Sequence, residues 1–133
     1  MTSARAALAA FVVDAVLVVL LAATGRLSHS ENILAGLWTT AWPFLLALAA
    51  GWLVTRAWRA PLAWLRTGLP VWAVTLVGGM VLRALNGQGV AISFVIVAAI
   101  VLFVLLVGWR ALAGLVARRR AAARRPAPVR RRW

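Results

Sequence analysis

Several residue types are absent or scarce in this 133-residue chain, and each absence narrows its chemistry. It has no cysteine, which excludes disulfides, thiol catalysis and iron–sulfur clusters. Its only acidic residues are Asp14 and Glu31, and it has a single histidine. A transition-metal site usually needs three or four nitrogen, sulfur or carboxylate ligands, so we expect no metal and no cofactor in one protomer.

Sequence signatures of enzymes are missing as well. No serine and base have the spacing of a catalytic triad, and no glycine-rich phosphate loop occurs. We therefore expect that this protein is not an enzyme.

Apolar sequence is what the chain has in abundance: 65% of the residues are hydrophobic and the mean hydropathy is +0.96. A soluble protein of this size would lack the polar surface to cover itself, whereas a membrane protein needs an apolar exterior. The apolar runs are continuous and too few to close a β-barrel, which favours helices over strands. The sequence predicts an all-α bundle of four transmembrane helices in domain 1–116, with spans at about 6–24, 33–55, 69–85 and 90–115.

The first span could instead be a cleaved signal peptide, since Arg5 precedes it and small residues occur near its end. Asp14 in the middle of the run, together with the length of the run, argues against that interpretation.

The arginines predict the orientation of the bundle. Threading four spans with the N-terminus in the cytoplasm places 13 arginines inside and only Arg26 and Arg83 outside. This follows the positive-inside rule, so we expect a multi-pass protein of the cytoplasmic membrane with both termini in the cytoplasm. The segment 56–68, which mixes arginines with tryptophans and leucines, should lie at the inner interface.

The C-terminal segment 117–133 is rich in arginine and almost free of apolar residues other than alanine. Its composition predicts a disordered cytoplasmic tail. Each arginine near an anionic leaflet contributes roughly 1 kcal/mol, so we expect contact with anionic lipid or with an acidic protein partner. Nucleic acid is not expected, because no aromatic residues alternate with the charges. The predicted contact residues are Arg118, Arg119, Arg120, Arg124, Arg125, Arg130, Arg131 and Arg132.

Polar residues inside the apolar spans are the candidates for function, because an ionisable group in a bilayer needs a partner or a purpose. Pro43 should kink the second helix and free a backbone carbonyl. Asp14 could bond to Arg83 or to a threonine and lock the bundle, or it could serve a solute or proton. Counting residues from the span ends puts one set near the midplane, with the last member further out: Asp14, Thr39, Thr40, Pro43, Thr75 and Arg83.

A second polar cluster is predicted in the outer loop, from Arg26, His29 and Glu31. These residues could sense external pH or bind an ion. Ser28 and Glu31 also have the spacing of a capping box, so the cluster could simply start the second helix.

Two helical hairpins show a weak internal repeat at an offset of 57 residues, which pairs Arg26 with Arg83 and the dipeptide Gly51-Trp52 with Gly108-Trp109. A parallel repeat would explain this match. The preference of arginine and tryptophan for membrane interfaces would also explain it.

A longer set of residues resembles an uncharacterised family of small four-span integral membrane proteins, classified as a domain of unknown function. The resemblance covers roughly residues 6–112, and its more specific elements are Trp-Pro-Phe and Gly-Trp-Arg. It implies a fold and a membrane location but no activity. The residues that carry it are Asp14, Gly25-Arg26, Ser28-His29, Thr40-Ala41-Trp42-Pro43-Phe44, Gly51-Trp52, Trp72, Gly79-Met80, Leu82-Arg83, Phe94 and Gly108-Trp109-Arg110.

Two functional hypotheses follow. In the first, the protein is a small accessory or assembly subunit, or a structural bundle, that packs against larger membrane proteins. In the second, it is a minimal oligomeric channel or transporter for protons, ions or a small solute that uses Asp14. One four-helix protomer is small for enclosing a pathway, so a homo-oligomer or a larger membrane partner is expected in either case.

Overall fold

The computed structural model describes residues 3–26 and 33–128, and the side chains of residues 3, 24–26 and 33–35 are not described. Within these ranges the chain forms helices and turns, with no strand. The first two helices are α1 (Ser3–Arg26) and α2 (Ile33–Thr55). A short 3₁₀ turn, Ala57–Arg59, and a π-helical turn, Trp64–Gly68, lead into α3 (Leu69–Leu85).

The fourth span is one continuous helix, but a π-helical turn replaces the α-helical hydrogen-bond pattern in its middle. It consists of α4 (Ile92–Leu102), a second π-helical turn (Phe103–Val107) and α5 (Gly108–Ala123). A π turn takes up one more residue than an α turn, so the helix beyond it is rotated by about 100° about its axis. This rotation decides which side chains of α5 face the bundle.

Four helices are long and apolar enough to cross a membrane, as predicted: Ala4–Ala23, Gly36–Thr55, Trp64–Leu85 and Ile92–Ala123. Only 22% to 44% of the residues in their most apolar windows are buried within the bundle, so most apolar side chains point outward. Outward-facing leucine, valine and isoleucine are stable in hydrocarbon and costly in water. The chain is a multi-pass helical membrane protein.

Close packing between α2 and α3 depends on glycine. A Cβ atom on Gly78 would lie 3.0 Å from Ala47 Cβ, and Gly79 lies directly beneath the ring of Phe44. Small residues let two membrane helices approach and gain van der Waals contact, which replaces the hydrophobic driving force that lipid does not supply. Gly78 and Gly79 therefore form a small-residue face at the α2–α3 interface.

The centre of the bundle is apolar and draws on all four spans. Val18 from α1, Leu48 from α2, Val71 from α3 and Leu102 from α4 are each at most 1% exposed. Trp72 ties α3 to α4, because its indole Nε1 donates to the carbonyl oxygen of Ala99 at 2.9 Å.

The turn between α3 and α4 closes the third helix in a Schellman arrangement. Gly87 adopts a φ of 70°, its N–H donates to Ala84 O, and the N–H of Gln88 donates to Arg83 O at 2.9 Å. Glycine suits this left-handed position because it has no Cβ.

The prediction of a disordered segment from residue 117 onward is wrong in its first part, because α5 continues to Ala123. Alanine and arginine both have high helix propensity, and arginines in the last turns interact favourably with the helix dipole. Pro126 follows shortly after the helix end, where it cannot continue the helix. Arg118, Arg119 and Arg120 therefore stand on a helix.

Candidate functional site

Asp14 is fully buried, and both of its carboxylate oxygens are engaged. Oδ1 accepts from Trp109 Nε1 at 2.8 Å and from Arg110 Nη1 at 2.9 Å. Oδ2 accepts from Trp52 Nε1 at 2.8 Å and from Arg110 Nη2 at 2.6 Å. An ionised carboxylate offers about four acceptor positions, so these four bonds fill them.

Arg110 is the counter-ion of Asp14. The side chains of both residues are fully buried, with 0% exposure. Its two terminal nitrogens bind the two oxygens of Asp14 in the parallel, bidentate geometry that makes guanidinium–carboxylate pairs strong and directional. Nη1 also donates to Leu106 O at 2.9 Å, and Nε donates to Pro61 O at 2.8 Å. The guanidinium thereby joins α1 and the fourth span to the loop before α3.

The two tryptophans supply neutral donors to the carboxylate and aromatic surface around it. Phe11 meets the edge of the Trp52 ring at a centroid distance of 5.3 Å, and the Arg110 guanidinium lies 4.9 Å from the centroid of the Trp109 ring. The rings shield the ion pair and orient its donors. We call the four side chains of Asp14, Trp52, Trp109 and Arg110 the Asp14 cluster.

Local helix geometry explains why these side chains meet. The π turn Phe103–Val107 immediately precedes Trp109 and Arg110 and rotates them inward. The other π turn ends at Gly68, where a Cβ atom would lie 3.4 Å from Arg110 Cδ. The absence of a side chain at Gly68 leaves room for the aliphatic part of Arg110.

Chemically, the Asp14 cluster is neutral overall, and both oxygens of its carboxylate are saturated with hydrogen bonds. A buried ion pair recovers its desolvation cost only when the geometry is good and the remaining donors and acceptors are satisfied. Here the pair is bidentate, and four of the five N–H groups of the Arg110 guanidinium donate hydrogen bonds. The arrangement can hold four chain segments in a fixed relation, and it offers no unused carboxylate lone pair to a solute in this conformation.

The expectation that Arg83 partners Asp14 is wrong. Arg83 Nη1 donates to Gln88 Oε1 at 3.1 Å, and its guanidinium carbon lies 4.3 Å from the centroid of the Phe94 ring. The residue lies in the last turn of α3, at the end of the bundle opposite the loop that Arg110 contacts. Arg83 therefore stabilises the α3–α4 turn.

Asp14 also lies at a different depth from the one predicted. It is level with Trp52, in the last turn of α2, whereas Pro43 and Thr40 lie nine and twelve residues earlier, or about 13 and 18 Å along the axis. The reason is that α1 begins at Ser3 and packs against the Ala57–Arg59 turn, so the apolar run is not centred on the bundle. The hydrogen bonds of Asp14 go to Trp52, Trp109 and Arg110, and a single site near the midplane stays a prediction.

Thr75 and Pro43 are both buried in the interior. Helix α2 runs without interruption across Pro43. In the described part of the chain, the hydroxyl of Thr75 has no hydrogen-bond partner. Thr39 is exposed, whereas Thr40 is 8% exposed.

The predicted outer-loop cluster lies largely outside the described residues. His29 and Glu31 are in that undescribed range, and Arg26 is described only as the last backbone position of α1. Three residues of the tail also lie outside the described residues: Arg130, Arg131 and Arg132. Among the described residues, no group of histidine and acidic side chains could hold a metal ion.

Three of the four members of the Asp14 cluster were not predicted as site residues, because tryptophan and arginine at the ends of spans are typical of the membrane interface. These three are Trp52, Trp109 and Arg110. The repeat at an offset of 57 residues was a signal for two of these site residues. Its matched dipeptides, Gly51-Trp52 and Gly108-Trp109, contain the two indoles that donate to Asp14. The Gly-Trp-Arg element of the family resemblance pointed to the same place.

With a four-span helical bundle and a buried ion pair established, the class is that of small multi-pass membrane proteins. The chain belongs to the family described as protein of unknown function (DUF3054), whose family model matches residues 11–113. This range contains the whole Asp14 cluster. No curated protein and no solved structure matches the chain.

Proposed function

We propose that the protein is a small accessory or assembly subunit, or a structural bundle, of the cytoplasmic membrane, and that it is not an enzyme. The observation that carries this proposal is the saturation of Asp14, whose two oxygens accept four hydrogen bonds at 0% exposure. An intramembrane carboxylate built for transport must bind and release its ion or proton, whereas a carboxylate in a structural role gains from permanent partners.

The contacts of the Asp14 cluster support a structural role. It joins α1, α2, the loop at Pro61 and α5, which are distant in sequence. Lipid supplies no hydrophobic force between helices, so directional polar contacts of this kind fix their relative positions. A bundle held in this way presents a fixed apolar exterior to larger membrane proteins.

The orientation follows from charge. The loop that contacts Arg110 carries Arg56, Arg59 and Arg66, and α5 ends in arginines at the same end of the bundle. We infer that this end faces the cytoplasm, with both termini on that side and the arginine tail against anionic lipid.

The alternative, an oligomeric channel or transporter that uses Asp14, draws its support from the presence of an ionisable pair within the spans. In that case Arg110 would have to release the carboxylate during the transport cycle. Flux would then depend on the charge of Asp14.

Gentle extraction of the tagged protein from its native membrane, followed by native mass spectrometry, tests the proposal. A stoichiometric larger membrane protein is expected to copurify. Two results together would establish the transport alternative. The first is a homo-oligomer without any partner, and the second is flux in liposomes that Asp14→Asn abolishes while the variant still folds.

The orientation can be tested independently, because a chain without cysteine gives no background to thiol labelling. Leu62→Cys and Asn86→Cys introduce single thiols at exposed positions at opposite ends of the bundle. A membrane-impermeant maleimide applied to intact cells should label the thiol at position 86 and spare the one at position 62. The reverse pattern would contradict the inferred topology.

A further inference from the structure

A groove runs along α5 beyond the Asp14 cluster, toward the arginine-rich end. Its volume is about 500 Å³, within the range of sites that hold small molecules. The described residues that line it all belong to α5 and recur at helical spacing: Trp109, Leu112, Ala113, Val116, Ala117 and Arg120. An apolar stripe therefore begins at an indole of the cluster and ends at a guanidinium.

The groove lies at the depth of lipid headgroups. The span Ile92–Ala123 has 32 residues and is about 48 Å long, whereas the hydrocarbon core is about 30 Å thick and the bilayer with headgroups about 40–45 Å. Counting inward from Ile92 puts Arg110 near the inner edge of the hydrocarbon. Residues 111–116 then lie in the headgroup layer and the rest of α5 extends beyond it, yet Leu112 is 63% exposed and Val116 is 40% exposed.

The charge of this segment requires an anionic partner. Three consecutive residues of α5 are arginines: Arg118, Arg119 and Arg120. The chain contains only two acidic residues. Both oxygens of Asp14 are occupied by its own cluster, and Glu31 lies in the sequence between α1 and α2, outside the described residues. Among the described residues, no carboxylate is available to neutralise Arg120.

We propose that the groove binds one anionic phospholipid, with its glycerol backbone and the first methylenes of an acyl chain against Leu112 and Val116 and the phosphate on the Arg120 guanidinium. An arginine matches a phosphate by charge and by paired N–H donors. A second copy of this chain fits less well, because pairing two such faces brings two rows of arginines together. A soluble acidic protein would not account for apolar side chains at headgroup depth.

Trp109 connects the lipid site to the fold, since it lines the groove and donates to Asp14 Oδ1. A lipid that packs against this indole favours the conformation in which the donor is in place. Binding to the folded state alone raises the apparent stability. The anionic lipid is therefore also a stabiliser of the Asp14 cluster.

The test uses the full chain in a neutral detergent, titrated with phosphatidylglycerol or with phosphatidylcholine of the same acyl chains, and read by native mass spectrometry and by the thermal unfolding midpoint. One phosphatidylglycerol should bind and raise the midpoint, and phosphatidylcholine should bind at least about fivefold more weakly. Arg120→Gln should lose at least about fivefold in affinity for phosphatidylglycerol. Arg119→Gln removes the same charge outside the groove and should lose less than Arg120→Gln.

A second variant fills the groove without changing charge. Ala113→Phe with Ala117→Phe should abolish stoichiometric lipid binding while the unfolding midpoint without lipid stays near that of the wild type. Three outcomes would each overturn the proposal. They are equal losses of affinity for Arg119→Gln and Arg120→Gln, equal binding of the two lipids, and a dimer that the groove-filling variant dissociates. The proposal rests on the proposed function only in placing the chain in a bilayer, and lipid titration and partner copurification can fail separately.

Discussion

The indoles of Trp52 and Trp109, which occupy equivalent places in the two helical hairpins, donate to opposite oxygens of a single carboxylate, each at 2.8 Å. Their acceptor, Asp14, lies outside the repeated positions, on α1. The near-symmetric pair of donors leaves the two remaining acceptor positions to one guanidinium, that of Arg110. The stability of the bundle should therefore depend on each member of this cluster.

Breaking the ion pair from either side should destabilise the protein strongly. Asp14→Asn leaves the Arg110 charge buried without a counter-ion, and Arg110→Met leaves the carboxylate in the same condition. We expect each to lose about 3–5 kcal/mol of unfolding free energy. Unfolding in mixed micelles, followed by circular dichroism, measures both.

The double variant Asp14→Leu with Arg110→Met, measured beside the single variants Asp14→Leu and Arg110→Met, separates a structural role from an ionic one. It removes both charges, so it should be more stable than either single variant, although two indole N–H groups then lack their acceptor. A coupling free energy of at least about 2 kcal/mol is expected from the cycle. Additive losses would mean that the two side chains do not depend on each other.

Removing one indole donor at a time should have a smaller effect. Trp52→Phe and Trp109→Phe keep an aromatic ring but remove the N–H, and a hydrogen bond to a charged group contributes about 1.5–3 kcal/mol. Trp38→Phe is the matched control, because Trp38 is 66% exposed and lies outside the cluster. Losses of equal size at all three positions would assign the effect to tryptophan in general and not to Asp14.

Gly79→Ala should disrupt the α2–α3 interface. The added Cβ would lie 2.6 Å from Phe44 Cε1 and nearer still to Cδ1, so the ring or the helix must move, at a cost of about 1–3 kcal/mol. Gly114→Ala adds the same methyl group where no atom lies within 4 Å, and it should be neutral or slightly stabilising because alanine favours helix. Unfolding midpoints of the two variants, measured side by side in detergent, decide the matter.

Two buried threonines should respond to the same substitution in opposite directions. Thr75→Val replaces a buried hydroxyl without a partner in the described part of the chain and should stabilise the protein by about 1 kcal/mol. Thr67→Val removes a hydroxyl that donates to Ala60 O at 2.6 Å and should destabilise it by about 1–3 kcal/mol. Destabilisation by Thr75→Val would reveal a water or ligand partner at that hydroxyl.

Residue composition was sufficient to predict the four spans, because the thickness of the hydrocarbon sets the length of an apolar helix whatever its neighbours are. The same reasoning identified Asp14 as a residue that needs a partner, since burying a charge in lipid is costly in any fold. It did not identify that partner. Arg83 was one candidate partner because it lies within a span, whereas Arg110, inside the predicted span 90–115, was counted among the arginines of the cytoplasmic side.

The tertiary structure decided the partner, for two geometric reasons. Packing of α1 against the Ala57–Arg59 turn shifts α1 along its axis and brings Asp14 level with Trp52 instead of Thr40. The π turn Phe103–Val107 then rotates α5 so that Arg110 points into the bundle. Axial shift and rotation arise from contacts between helices that are distant in sequence, and hydrophobicity fixes neither, because an apolar span is equally stable in lipid at any rotation about its axis.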